Sequence, residues 1–299
     1  MLETILHLAD KTLFFFVGLS IIYLFVLAIA SRRKYSGYLK ANKQNRMIVL
    51  VPDGTTFPFQ EYPEELYKVE NYTDLTDKVK TLDESCYDLV VIFKAITQVS
   101  PQLLGKINIL YNTGIKAIQL HTVAEEYQGF GRRWKAILKE VDHNLYKKGN
   151  TRLGLSSAFT GPDIAVELKW LKRNQKTPGS NLERKLLKQD IYVEYLGNSK
   201  VYHKSVQKEN YNTSRSKALS QIMSAFLSGN WNYVNRLFQH LLPSPLGFFI
   251  LTVIWLLLMT ICDWTYSIKW WFILFFLSFT ISLVIPDYLV ADRKKKNKN

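Results

Sequence analysis

The chain is poor in the residues that staple or metallate small folds. Only two cysteines, Cys86 and Cys262, occur in 299 residues, which excludes a disulfide framework and a cysteine-based zinc site. The five histidines (His7, His121, His143, His203 and His240) form no i, i+4 pair and have no cysteine neighbours, so neither a metal nor another cofactor is expected. Acid is scarce relative to base: 25 Asp and Glu against 39 Lys and Arg leave a formal charge of +14. That surplus lies in several clusters with no nucleic-acid motif, so no nucleic-acid partner is expected. A face apposed to anionic membrane lipids is the simpler reading.

Apolar residues are plentiful, at 47%. Leu13–Ala30 carries no charge over a length that crosses a bilayer as a helix, and Leu246–Cys262 and Trp270–Ile285 are two further candidates. Spans are therefore predicted over 13–31, 246–262 and 268–288. Ala28-Ile29-Ala30 resembles a signal-peptide cleavage site, yet the acidic amino end and the basic triplet that follows favour a retained helix. Arg32, Arg33 and Lys34 follow the first span, and Arg293, Lys294, Lys295 and Lys296 follow the third. By the positive-inside rule these seven residues set the topology of a multi-pass protein of the cell (inner or plasma) membrane. Residues 1–12 are then outside, while the soluble domain and the basic tail 289–299 are cytoplasmic.

Within residues 45–228, short β-branched runs alternate with helical segments. Strands are predicted at Met47–Val51, Leu66–Tyr72, Tyr87–Phe93, Ile115–Leu120, Asp190–Leu196 and Ser199–His203. Helices are predicted at Leu75–Leu82, Leu103–Asn112, Arg132–Lys148, Leu182–Lys188 and Ser214–Phe226. The alternation implies a parallel α/β sheet, with Trp134, Ile137, Leu138, Val141 and Leu145 forming a stripe that packs on it. Residues 229–243 hold an amphipathic helix with Trp231, Val234, Leu237, Phe238, Leu241 and Leu242 on one face. Asn232, Asn235, Arg236, Gln239 and His240 take the other face, and the position just before a span suggests a helix lying in the headgroup layer.

The segments YDLVVIF and QVSPQLLGKIN, then TGIKAIQLH, LYKKGNTRLGLSSAFTG, LLKQDIYVEYL and VYHKSVQKEN, occur in an order that resembles membrane-embedded family 2 glycosyltransferases. That family includes cellulose-, hyaluronan- and poly-N-acetylglucosamine-synthase-like enzymes. The resemblance implies a GT-A-like, Rossmann-like cytoplasmic domain, here trimmed between Pro52 and Tyr87 where the base-binding half would lie. It also locates what is missing. The family's Asp-x-Asp metal clamp reads Lys94-Ala95-Ile96, its nucleotide-pocket segment reads Pro52-Asp53-Gly54-Thr55-Thr56, and its acid motif reads Gly179-Ser180-Asn181-Leu182-Glu183-Arg184. Its Gln-x-x-Arg-Trp motif reads Thr213-Ser214-Arg215-Ser216-Lys217.

Lys94 could meet phosphate as a point charge, though a surface lysine is the plainer reading. Glu183 reads as a helix-surface residue, and Asp53 and Asp163 as turn formers. No catalytic, cofactor-binding or metal residue is assigned, because base, cation and pocket must act together. The resemblance thus implies a pseudo-glycosyltransferase in a hetero-oligomer with an active transferase or an export subunit. The alternative is a divergent active membrane glycosyltransferase making a surface polysaccharide or glycolipid.

The charge pattern makes a direct prediction. A reporter fused after Asn299 should sit in the cytoplasm and one between 263 and 269 outside; external access to residue 150 would overturn that orientation.

Overall fold

The computed structural model describes residues 2–33, 43–126, 129–175, 182–205, 215–286 and 289. Helix α1 (Leu2–Ser31) is followed by β1 (Met47–Pro52), β2 (Tyr67–Tyr72), α2 (Leu75–Thr81), β3 (Leu89–Ile92), β4 (Gln98–Val99), α3 (Leu103–Asn112) and β5 (Ala117–Ala124). Next come α4 (Phe130–Asp142), a π-helical stretch at His143–Gly149, and α5 (Asn150–Arg152), then β6 (Ile164–Glu167), α6 (Leu168–Asn174), α7 (Leu182–Lys188) and β7 (Val193–His203). Four helices close the chain: α8 (Arg215–Leu227), α9 (Trp231–Leu241), α10 (Pro245–Cys262) and α11 (Trp264–Val284). They divide into a helical unit (Met1–Arg33, Ile137–Leu153, Gln239–Asn299) and an α/β unit (Lys34–Ala136, Gly154–Phe238).

The α/β unit is built on a seven-stranded sheet of order β2-β1-β3-β6-β5-β7-β4. Strand β1 pairs in parallel with β2 and β3, and β5 with β7. The sheet is mixed rather than all-parallel, since β6 runs antiparallel between β3 and β5 and β4 runs antiparallel on the β7 edge. No turn residue separates β6 from α6, because Glu167 leads directly into Leu168, so its four residues carry no strand boundary. The two strands expected at 190–196 and 199–203 form one, with a register shift opposite Leu120/His121.

Both faces of the sheet are covered, as the near-continuous apolar runs require. Met47, Val49, Val51, Leu89, Val91 and Phe93 point to one side and pack with Leu103, Leu104 and Ile107 of α3. Ile48, Leu50, Val90 and Ile92 alternate to the other side and meet Val79 of α2, Trp170 and Leu171 of α6, and Leu186 of α7.

In the helical unit, three helices are long and apolar enough to cross a membrane. Val17, Ile21, Leu24 and Leu27 of α1 form the inward stripe, against Phe248, Leu256 and Met259 of α10 and Trp270, Leu277 and Val284 of α11. Phe15, Phe16, Leu19 and Ile22 of α1 and Phe272 and Phe275 of α11 remain exposed, which suits apolar surroundings. The amino-terminal helix starts at Leu2, not residue 13, and α11 starts at Trp264, not 268. Within these longer helices Asp10 is buried and accepts from Lys269 and from the indoles of Trp255 (3.2 Å) and Trp270 (2.7 Å).

The stripe Ile137, Val141 and Leu145 packs in this bundle and not on the sheet, while Trp134 is exposed. The predicted single helix 132–148 becomes α4 plus the π-helical stretch. Two side chains cap the open carbonyls at the end of α11: Arg32 Nε donates to Leu283 O (2.9 Å) and Asn144 Nδ2 to Val284 O (2.7 Å). Arg33 is exposed; Lys34 and Arg293, Lys294, Lys295 and Lys296 lie outside the described residues.

A side chain at Gly149 would place its Cβ 2.7 Å from Leu27 O and 3.2 Å from Leu27 Cβ. Gly149→Ala should therefore push the π-helical stretch off α1 at a cost of about 1–3 kcal/mol, read as a lower thermal midpoint in detergent. An unchanged midpoint would show that this contact is loose.

Candidate functional site

Strands β1, β3, β5 and β7 share one direction, so their carboxyl ends gather Asp53, Lys94, Glu125 and His203 along one edge. The reversed strand β6 enters at that same edge, immediately after Asp163. In open α/β sheets ligands bind outside the carboxyl ends of the strands, which makes this edge the place to look for chemistry.

Asp163 is fully buried there and occupied from three sides. Its Oδ1 accepts the Lys94 amide (3.1 Å), and its Oδ2 accepts the Thr122 hydroxyl (2.9 Å) and contacts His203 Nε2 (2.6 Å). With the carboxylate accepting throughout, Nε2 of His203 is the donor; Nδ1 is buried and has no hydrogen-bond partner among the described residues. The backbone of Asp163 is fixed as well, since its carbonyl accepts Gln119 Nε2 (2.9 Å) and Leu120 N (3.1 Å). The Gln119 amide oxygen in turn holds Gly161 N at 2.9 Å.

The field of this carboxylate reaches Tyr72, whose hydroxyl donates to Phe93 O (2.7 Å). Burial first, and the negative charge of Asp163 second, push the Tyr72 phenol up to about 12.

An imidazole held by a carboxylate is the arrangement that orients a general base. Here His203 and Asp163 are both fully buried. A hard divalent cation, which the family resemblance implies, does not fit: Asp163 is engaged by three donors, Lys94 repels a cation, and Ile96 is buried in the core beside Phe93.

Among the sequence candidates, Lys94 lies on this edge with an exposed side chain, contributing only its amide to Asp163. Asp53 is an exposed turn residue, with Thr55 N donating to Pro52 O (3.1 Å). Asp163 is more than a turn former. Glu125 and Glu126, not singled out in the sequence, are exposed at the end of β5. Glu183 is not on a helix surface: it is buried, and its Oε1 accepts Phe159 N (2.9 Å) and Arg236 Nε (2.8 Å). Arg236 is correspondingly buried rather than on an open polar face. Gly179, Ser180, Asn181, Thr213 and Ser214 lie outside the described residues, as do the side chains of Arg215 and Lys217.

Helix α9 differs from the expected headgroup helix in what it buries. Its polar residues staple it to the α/β unit, through Arg236 to Glu183, Ser156 N to Asn232 Oδ1 (2.8 Å), and the preceding Asn230 to Leu187 O (2.7 Å). Of the six residues assigned to the membrane face, Trp231 is exposed, Val234, Phe238, Leu241 and Leu242 are half-buried, and Leu237 is buried.

Two outcomes follow from these contacts. Glu183→Ala should destabilise the protein by about 3–5 kcal/mol because it removes a buried carboxylate that pairs with the Arg236 guanidinium and accepts the Phe159 amide; a loss within about 0.5 kcal/mol, the range of a surface site, would contradict the burial. Asp163→Asn should lower the Tyr72 pKa from about 12 while leaving it above its ordinary 10.0, because burial is the larger cause. Tyr72 thus contributes stability that is complete below pH 10.0 and lost as pH rises towards about 12. Phenolate absorbance across that range reads both effects.

No family model matches the chain and no curated protein matches it, so the reading of this edge rests on its own geometry.

Proposed function

We propose that the chain is a catalytically inactive, glycosyltransferase-like membrane subunit that scaffolds or regulates an active family 2 synthase or a glycan export complex. One observation carries the reading: at the sheet edge where ligands bind, the buried carboxylate is consumed by the Lys94 amide, Thr122 and His203. Lys94 itself stands where the resemblance implies a metal-binding acid. A folded sheet with such an edge is what remains when an interface, and not a reaction, is maintained.

In this reading the domain is a trimmed relative of the GT-A fold, and the three apolar helices span the cell membrane with the α/β unit and the carboxyl terminus in the cytoplasm. The exposed hydrophobic surface of α1, α10 and α11 supports the membrane assignment. The glycan connection rests on the sequence resemblance, which is an argument by analogy.

A divergent active transferase is the second reading. It is favoured by the unpartnered Nδ1 of buried His203 beside exposed Lys94 and Glu125 on one edge.

Titration calorimetry separates the two. The purified full chain should take up no UDP-sugar in the presence of Mn²⁺. Metal-dependent binding in the micromolar range, about −8 kcal/mol, would give the lead to the enzyme.

A further inference from the structure

Helix α8 is packed the wrong way round for a soluble helix. It buries Ala218 and Ala225 and turns four large apolar residues outward, with Ile222 half-buried. Leu219, Met223, Phe226 and Leu227 are each more than half exposed, Leu227 at 78%. At ~100° per residue these four fall within an arc of about 100°, so they form one stripe.

The helix stop lengthens that stripe. Gly229, at φ 69°, closes a turn in which its amide donates to Phe226 O (3.0 Å) and the Asn230 amide to Ala225 O (3.2 Å). The reversal brings the exposed Trp231 indole edge-on to Phe226 at 5.3 Å between ring centroids. Five large apolar side chains thus make one open surface, on a helix whose Ala218 and Ala225 are buried.

We propose that the α8 stripe, from Leu219 to Trp231, is a membrane-docking surface that lies in the headgroup layer of an anionic bilayer. Three features of the chain select lipid as the occupant. The stripe is a single flat helical face rather than a groove, and it ends in a tryptophan, the side chain enriched where apolar and aqueous phases meet. Trp231 opens α9, and only Leu242, Pro243 and Ser244 join α9 to the apolar helix α10. The net charge of +14 draws the protein towards anionic headgroups. The inference rests on the reading of the apolar helices as membrane spans, and it moves the headgroup-layer surface from α9, whose Leu237 is buried, to α8.

Spin-label accessibility tests it on the full chain in nanodiscs of phosphatidylcholine and phosphatidylglycerol. Both native cysteines are exposed and unbonded, so Cys86→Ser and Cys262→Ser give a background for single labels at Leu219→Cys, Met223→Cys and Leu227→Cys. Ser224→Cys samples the polar shoulder of α8, and Phe275→Cys the exposed face of α11. Oxygen should relax the labels at 219, 223 and 227 more than a nickel chelate does, as at 275, with the preference reversed at 224. Nickel access at the three stripe positions with oxygen preferred at 275 overturns the proposal and spares the membrane reading. Nickel access at 275 as well overturns the membrane reading itself. Exclusion of both reagents from the stripe also overturns the proposal, in favour of a protein covering it.

Discussion

The carboxylate of Asp163 is the contact on which the α/β unit depends, because it joins four strands that are distant in sequence. It precedes β6, receives the amide that follows β3, a hydroxyl from β5 and an imidazole from the end of β7. Burying an ionised carboxyl costs several kcal/mol, while each hydrogen bond to a charged group returns about 1.5–3 kcal/mol. Three such bonds together return an amount that offsets this cost.

Buried charge is used in the same way elsewhere in the chain. Glu183 fixes α9 through Arg236 and caps the amide of Phe159. Within the helical unit, Asp10 ties α1 to α10 and α11 through Trp255, Trp270 and Lys269. Each acid has its donors supplied by elements far away in sequence, so each is satisfied only once the fold has formed.

That distance explains what the sequence made legible. Local signals were readable: the β-branched run at Met47–Pro52, the apolar spacing of Leu103–Asn112 and Leu182–Lys188, and the uncharged stretches of α10 and α11 match helices and strands to within a few residues, while that of α1 matches only its carboxyl end. Polar residues were misread wherever a long-range partner decides their fate. Glu183 and Arg236 looked like surface groups, and Asp163 like a turn former. Strand reversal at β6 was hidden for a related reason, since its four residues pair with β3 and β5 but have no boundary of their own. At the candidate site, Lys94 was found by its position after β3, whereas no short-range spacing links His203 to Asp163.

On the proposed reading the frame is kept for a partner and not for a reaction. The most direct measurement is to isolate the full chain from its own cells in mild detergent and identify what accompanies it, while assaying the preparation for sugar transfer. The account predicts co-purification with an intact membrane glycosyltransferase or export subunit, with transfer activity lost when that partner is removed. A chain that purifies alone and itself transfers sugar from a sugar nucleotide would contradict it.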